Sequence, residues 1–196
     1  MSHDILNTEY EFTDRTFEEL DFRNQSLENR IFDGCTFLRV NFNGSSFKRC
    51  RFLDCTFEQS DLSNIALTSS DLRDVKFKEC KLVGVNWINA TSLMHLSWDN
   101  CALNYGNFSG LDLRKSSMQN CVAREVDFAE TNFSEANLRG TDFTAARFAN
   151  TNLTKADLRQ AKNYSIRPDS NKIKKAKFSL PEAMLLLYGL DIELEE

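Results

Sequence analysis

The sequence predicts a repeat fold closed by a short C-terminal helix, and three observations predict it. Large apolar residues recur every five positions, unbroken from Phe12 to Trp87 and again from Leu93 to Leu158, with Ala123 alone small. A second stripe, two positions ahead of the first, is mostly small from Cys35 onward. The chain also holds 16 Phe but only 7 Gly and 2 Pro, too few turn formers for a conventional sandwich or barrel of this length. A period of five fits neither a helix nor a strand, so the five-residue unit is itself the structural element.

Taken in order, residues 1–9 form a leader and residues 10–162 carry the repeat. In the first round of units the small stripe holds Tyr10, Arg15, Leu20, Gln25 and Arg30. Buried arginines are costly unless paired, so this end reads as an open, solvated coil. Further on the stripe holds residues such as Ser45, Ser60, Ser70, Thr131, Thr141 and Thr151, together with all six cysteines: Cys35, Cys50, Cys55, Cys80, Cys101 and Cys121. That register makes the thiols small, buried hydrophobes. No C-x-x-C or histidine cluster suggests zinc. Between Trp87 and Leu93 the phase slips by one residue, which reads as a local bulge, the alternative being the marker of a binding site. Asn163–Tyr164 and Pro168 end the repeat, leaving 163–178 as a linker.

The units AlaAsnLeuArgGly (136–140), ThrAspPheThrAla (141–145) and AlaAspLeuArgGln (156–160) resemble the pentapeptide repeat, A-(D/N)-L-x-x. The resemblance implies an all-β fold, a right-handed four-sided parallel β-helix, with one unit on each side of a coil. Residues twenty apart then share a face, and Phe17, Phe37, Phe57, Phe77 and Trp98 form one aromatic stack.

Residues 179–196 read as a helix and tail that pair two copies of the chain. Ser179 and Glu182 have the spacing of a capping box around Pro181, and Gly189 closes an α-helix from Leu180 to about Tyr188. A nine-residue helix needs tertiary support. Its apolar residues exceed what one contact covers, which makes Leu180, Met184, Leu187, Leu190 and Ile192 the candidate dimerisation residues, with Leu194 extending the edge.

Net charge is −5, against a general nucleic-acid binder. No apolar stretch nears the roughly 20 residues of a membrane span, and no basic-then-apolar leader is present, so a cytoplasmic protein is expected. The recurring Asp residues follow the repeat, with no nucleophile, metal motif or phosphate loop beside them. The expectation is a binding protein without cofactor, metal or enzymatic activity. A long pentapeptide solenoid ending in Asn-Tyr-x-Ile-x-Pro, a polar turn, Pro-Glu-Ala and a Leu-rich segment is similar to the Qnr, MfpA and McbG branch of the family. That resemblance implies a dimeric, DNA-mimicking rod that engages DNA gyrase or topoisomerase IV and protects it from quinolones or related poisons. Residues 1–60 hold 11 acidic and 7 basic groups, so the acidity is concentrated near the N-terminal end. The alternative is a scaffolding solenoid that docks an unrelated partner.

Overall fold

The computed structural model describes residue 6, residues 9–190 and residue 192. The chain winds into a four-sided parallel β-helix in which successive coils are twenty residues apart. On the first face, Glu11–Thr13, Ile31–Asp33, Arg51–Leu53, Asp71–Arg73 and Ser92–Met94 pair in that order. On the second, strands run from Thr16–Glu18 to Ser117–Gln119, and bridges carry the ladder on through Asn137 and Asp157 to Lys177. The other two faces are joined mostly by single bridges, such as Asn41 with Asp61 and Asn107 with Asp127.

The local cause is the same in most units. The large residue points inward, and its N–H donates to the next coil: Phe22 to the Asn41 carbonyl at 2.7 Å. The residue before it donates to the previous coil: Asn41 to the Leu20 carbonyl at 2.8 Å. Two positions after the large residue the backbone turns the corner with positive φ, for example 50° at Asp14, 56° at Asn64 and 59° at Lys155. Asp and Asn tolerate that conformation better than most side chains. Because Glu, Arg and Lys also adopt it here, the chain turns its corners with few glycines. At Gly34 the glycine is needed sterically as well: a Cβ would lie 2.2 Å from Asp14 Oδ1 in the coil beneath.

The central stack forms as expected. Ring centroids lie 5.1 Å apart for Phe17–Phe37, 4.6 Å for Phe37–Phe57, 5.2 Å for Phe57–Phe77 and 6.1 Å for Phe77–Trp98, all nearly parallel. Across faces the contacts turn edge-on, as between Phe32 and Phe37 at 5.3 Å and 71°. Both geometries suit the ring quadrupoles.

The small stripe does more than fill space. Ser60 Oγ accepts the Val40 N–H at 2.9 Å and donates to the Phe37 carbonyl at 3.2 Å. Ser70, Thr131, Thr141 and Thr151 donate in the same way to Phe47, Phe108, Met118 and Phe128. The six cysteines are free and buried, and Cys35 and Cys50 place Sγ 3.3 Å from the Phe12 and Leu27 carbonyls. Burial pushes the Cys50 thiol up. The contact with Cys121, followed by burial, pushes Cys101 up to about 12.

Three expectations need correction. The one-residue slip is no strand bulge: it is taken up by a 3₁₀ turn, Trp87–Asn89, with Trp87 buried at its start. Residues 171–178 are not linker, because the ladder includes them: Lys172 and Lys177 bridge to Asn152 and Asp157. Asn171 assumes the small-stripe role there, accepting the Thr151 N–H at 2.9 Å and donating to the Phe148 carbonyl at 3.3 Å. The terminal helix is a 3₁₀ helix, Glu182–Leu190, rather than α. Its expected cap is engaged elsewhere: Ser179 Oγ accepts the Gln160 N–H at 2.8 Å, tying it to the last full coil. Met184 N–H, in turn, donates three residues back, to the Pro181 carbonyl at 2.9 Å.

Two predictions follow from the interior. Phe37→Ala, which opens a hole in the tightest part of the stack, should lower stability by about 3–5 kcal/mol in denaturant unfolding; a loss below about 1 kcal/mol would show that the stack is not close-packed. Native protein should react little with iodoacetamide at neutral pH, whereas unfolded protein should take six labels without prior reduction. Rapid labelling of the native chain would contradict thiol burial.

Candidate interaction surface

Three of the five side chains in each unit face outward, so residues twenty apart form columns along the rod. In several places these columns neutralise themselves. Arg39 bonds Glu18 and, at 3.1 Å, Glu19 in the coil below. Lys48 and Arg49 approach Glu28, Arg147 meets Asp127 at 3.0 Å, and Lys155 meets Glu135 at 3.0 Å. Within single units Arg114 holds Asp112 at 2.7 Å and Arg159 holds Asp157 at 2.6 Å. Each exposed pair adds little stability, but together they flatten the field over those faces.

The first face differs in its N-terminal half. Its strands and corners carry Glu11, Asp14, Asp33, Asp54, Asp71 and Asp74 against Arg51 and Arg73. Among the described residues, Glu11, Asp14, Asp33, Asp54 and Asp71 form no ion pair, while Asp74 meets His95 Nδ1 at 3.1 Å. The result is a net-negative stripe across successive coils. Its residues were not among the sequence-derived site candidates, because the −4 balance of residues 1–60 is legible in composition but its concentration on one face is not.

The C-terminal end presents the second surface. Leu180 is 75 % exposed and Ile192 51 %, with Met184 and Leu190 also exposed beside the half-buried Leu187. Leu185 and Leu186 turn inward and pack on the core, where Tyr164 lies 5.6 Å from Phe178. Burial, then Glu182, pushes the Tyr164 hydroxyl up to about 12. Leu194 lies outside the described residues.

Residues 30–92 and 91–178 match the family model described as pentapeptide repeat region. The chain belongs to the pentapeptide-repeat family. Among solved structures it is similar to a trypsin-treated form of QnrB1, described as a plasmid-mediated fluoroquinolone resistance protein. That match has a TM-score of 0.72 and 20 % identity, and covers 95 % of this chain and 100 % of the other. A second trypsin-treated QnrB1 structure matches with a TM-score of 0.65 at 22 % identity, over 94 % of this chain and 90 % of the other. At these identities the likeness establishes the pentapeptide solenoid fold. No curated protein matches. Among the described residues no helix is long and apolar enough to cross a membrane.

One carboxylate ties the outer surface to the end of the solenoid. Burial opposes ionisation of Asp142, but hydrogen bonds from Asn163 (2.9 Å), Thr144 (2.6 Å) and Arg124 (2.9 Å) outweigh it and hold the carboxyl well below the usual range. A depressed folded pKa contributes stability above the unfolded value near 3.8, which is lost as pH falls below it. Asp142→Asn should therefore cost about 1–3 kcal/mol at pH 7, and the gap from the unmodified protein should narrow below about pH 4. A gap that stays constant from pH 7 to pH 3 would remove Asp142 from this role.

Proposed function

We propose that the protein is a non-enzymatic binding rod that pairs with a second copy and occupies the duplex-binding surface of DNA gyrase or topoisomerase IV, protecting it from quinolones or related poisons. The observation that carries this reading is the net-negative carboxylate stripe on the first face. A DNA duplex presents one negative charge per roughly 1.7 Å of axis, and a cationic groove built for it attracts any rod of suitable width bearing ordered negative charge. Carboxylates repeated from coil to coil, at steps of about 5 Å, supply such a line, and elsewhere a number of charges are cancelled by their neighbours. The fold shared with QnrB1 supports the same reading.

Pairing lengthens the rod. Leu180, Met184, Leu190 and Ile192 expose apolar surface at one end, and a second copy presenting the same surface covers it symmetrically. The stripes of the two copies then lie on either side of the joint, matching the two-fold arrangement of a topoisomerase that binds one duplex across two subunits.

In a gyrase supercoiling assay containing a quinolone, the unmodified protein should restore supercoiling. The combined change Asp14→Lys, Asp54→Lys and Asp74→Lys should abolish that rescue while leaving the circular dichroism spectrum intact. Rescue that survives the triple change, or no rescue by the unmodified protein, would refute the stripe as the gyrase contact. Leu180→Asp with Met184→Asp should turn a dimer into a monomer in light scattering, because a charge in a shared apolar contact is desolvated without a partner. An unmodified protein that is monomeric at micromolar concentration would end the pairing claim.

A further inference from the structure

The coil that follows the inserted residue is open on one face. The first-face sheet ends at Ser92–Met94, and the next bridge on that face joins Asp112 to Asn132. Among the described residues no backbone hydrogen bond joins Ser92–His95 to Asp112–Lys115, although the neighbouring rung, Ser117 N–H to the Leu96 carbonyl, survives at 3.2 Å. Between the two coils lies a cleft of about 310 Å³.

Ser116 marks the same opening independently. Its hydroxyl is buried, lines the cleft and has no hydrogen-bond partner. Other stripe hydroxyls donate to the carbonyl 23 positions earlier, as Ser70 does to Phe47 and Thr131 to Phe108. For Ser116 that position is Leu93, whose carbonyl stands across the opening, so the hydroxyl keeps its donor for something else. A buried hydroxyl without a partner is costly.

The lining has two characters. Leu93, Leu96 and Leu113 supply apolar walls. At the mouth, Asp112 is already satisfied by Arg114 and by Asn132, and His95 is engaged by Asp74. Lys115 has no ion pair among the described residues; its charge reaches Glu135, whose carboxyl is held low chiefly by Lys155. The cleft therefore offers apolar walls, an unsatisfied hydroxyl and an unpaired ammonium.

We propose that this cleft is a binding site for a small amphipathic anion, an aromatic or aliphatic body bearing one carboxylate or sulfonate. The volume equals that of about ten waters, the lower end of the range for small-molecule pockets. The apolar body lies against Leu93, Leu96 and Leu113, the anionic group meets Lys115 at the mouth, and Ser116 donates to an acceptor on the ligand. This inference is independent of the gyrase reading, since it uses neither the stripe nor the C-terminal end.

The probe is 1-anilinonaphthalene-8-sulfonate, with its uncharged relative N-phenyl-1-naphthylamine as the control. Titration of the full chain should give saturable sulfonate binding, with amide shifts confined to Leu93–Leu96 and Asp112–Ser116. Lys115→Glu should weaken the sulfonate about threefold to tenfold and the neutral relative by less than about twofold. Ser116→Ala, the smaller change and so the safer for folding, should weaken a ligand that carries an acceptor by about threefold. Shifts that map to Leu180–Ile192 instead, or sulfonate affinity indifferent to Lys115→Glu, would overturn the assignment.

Discussion

The coil-to-coil backbone ladder is the constraint on which the rest of this molecule depends. Each rung holds residues twenty apart at one strand spacing, and that alone turns a linear period of five into four columns inside and a lattice of columns outside. Ring stacking is a consequence: Phe37 meets Phe57 at 4.6 Å because the rungs beside them set the distance. The side chains then reinforce the ladder. Aromatic rings bury apolar area between coils, and the stripe hydroxyls bridge an amide of the preceding coil and a carbonyl further back, as Ser60 does between Val40 and Phe37. These gains are set against the corners, where non-glycine residues are held at positive φ.

The same ladder makes function a matter of column and register. A carboxylate placed next to a basic residue one coil away is cancelled, as Glu135 is by Lys155; one placed beside another carboxylate becomes part of a stripe, as Asp54 does with Asp74 one coil on. A single inserted residue then has a local effect. The 3₁₀ turn at Trp87–Asn89 absorbs it, and pairing resumes with a step of twenty-one, Phe77 to Trp98 and Leu72 to Leu93. On three faces the next coil closes over this register. On the first face it does not, and the cleft beside Ser116 is the result.

The period, the face assignment, the aromatic stack and the burial of the six thiols were legible in the sequence because each is carried by residues repeating in strict phase. The corners were not, since Glu19, Arg39 and Lys155 carry no local signal for positive φ and take it from the coils around them. The last partial coil was legible in principle: Ile173 and Phe178 stand twenty after Leu153 and Leu158. Pro168 and the lysines at 172, 174, 175 and 177 disguised it as a linker. The Ser179–Glu182 spacing suggested an α-helical cap, and the docking of Ser179 on Gln160 overrode it. The acidic stripe is not legible as charge along the chain, because its effect depends on which of four faces each residue occupies.

Residue-resolved amide hydrogen exchange tests the ladder most directly. The account predicts strong protection at the central residues from Phe22 through Leu158, with protection continuing at Lys172 and Lys177, whose amides donate to Thr151 and Ala156. The exceptions are Leu93 and His95, flanked by protected Phe77 and Trp98, together with Leu67 and Phe148, whose amides likewise meet no backbone carbonyl among the described residues. Uniform protection across Leu93–Lys115, or loss of protection beyond Lys162, would contradict it.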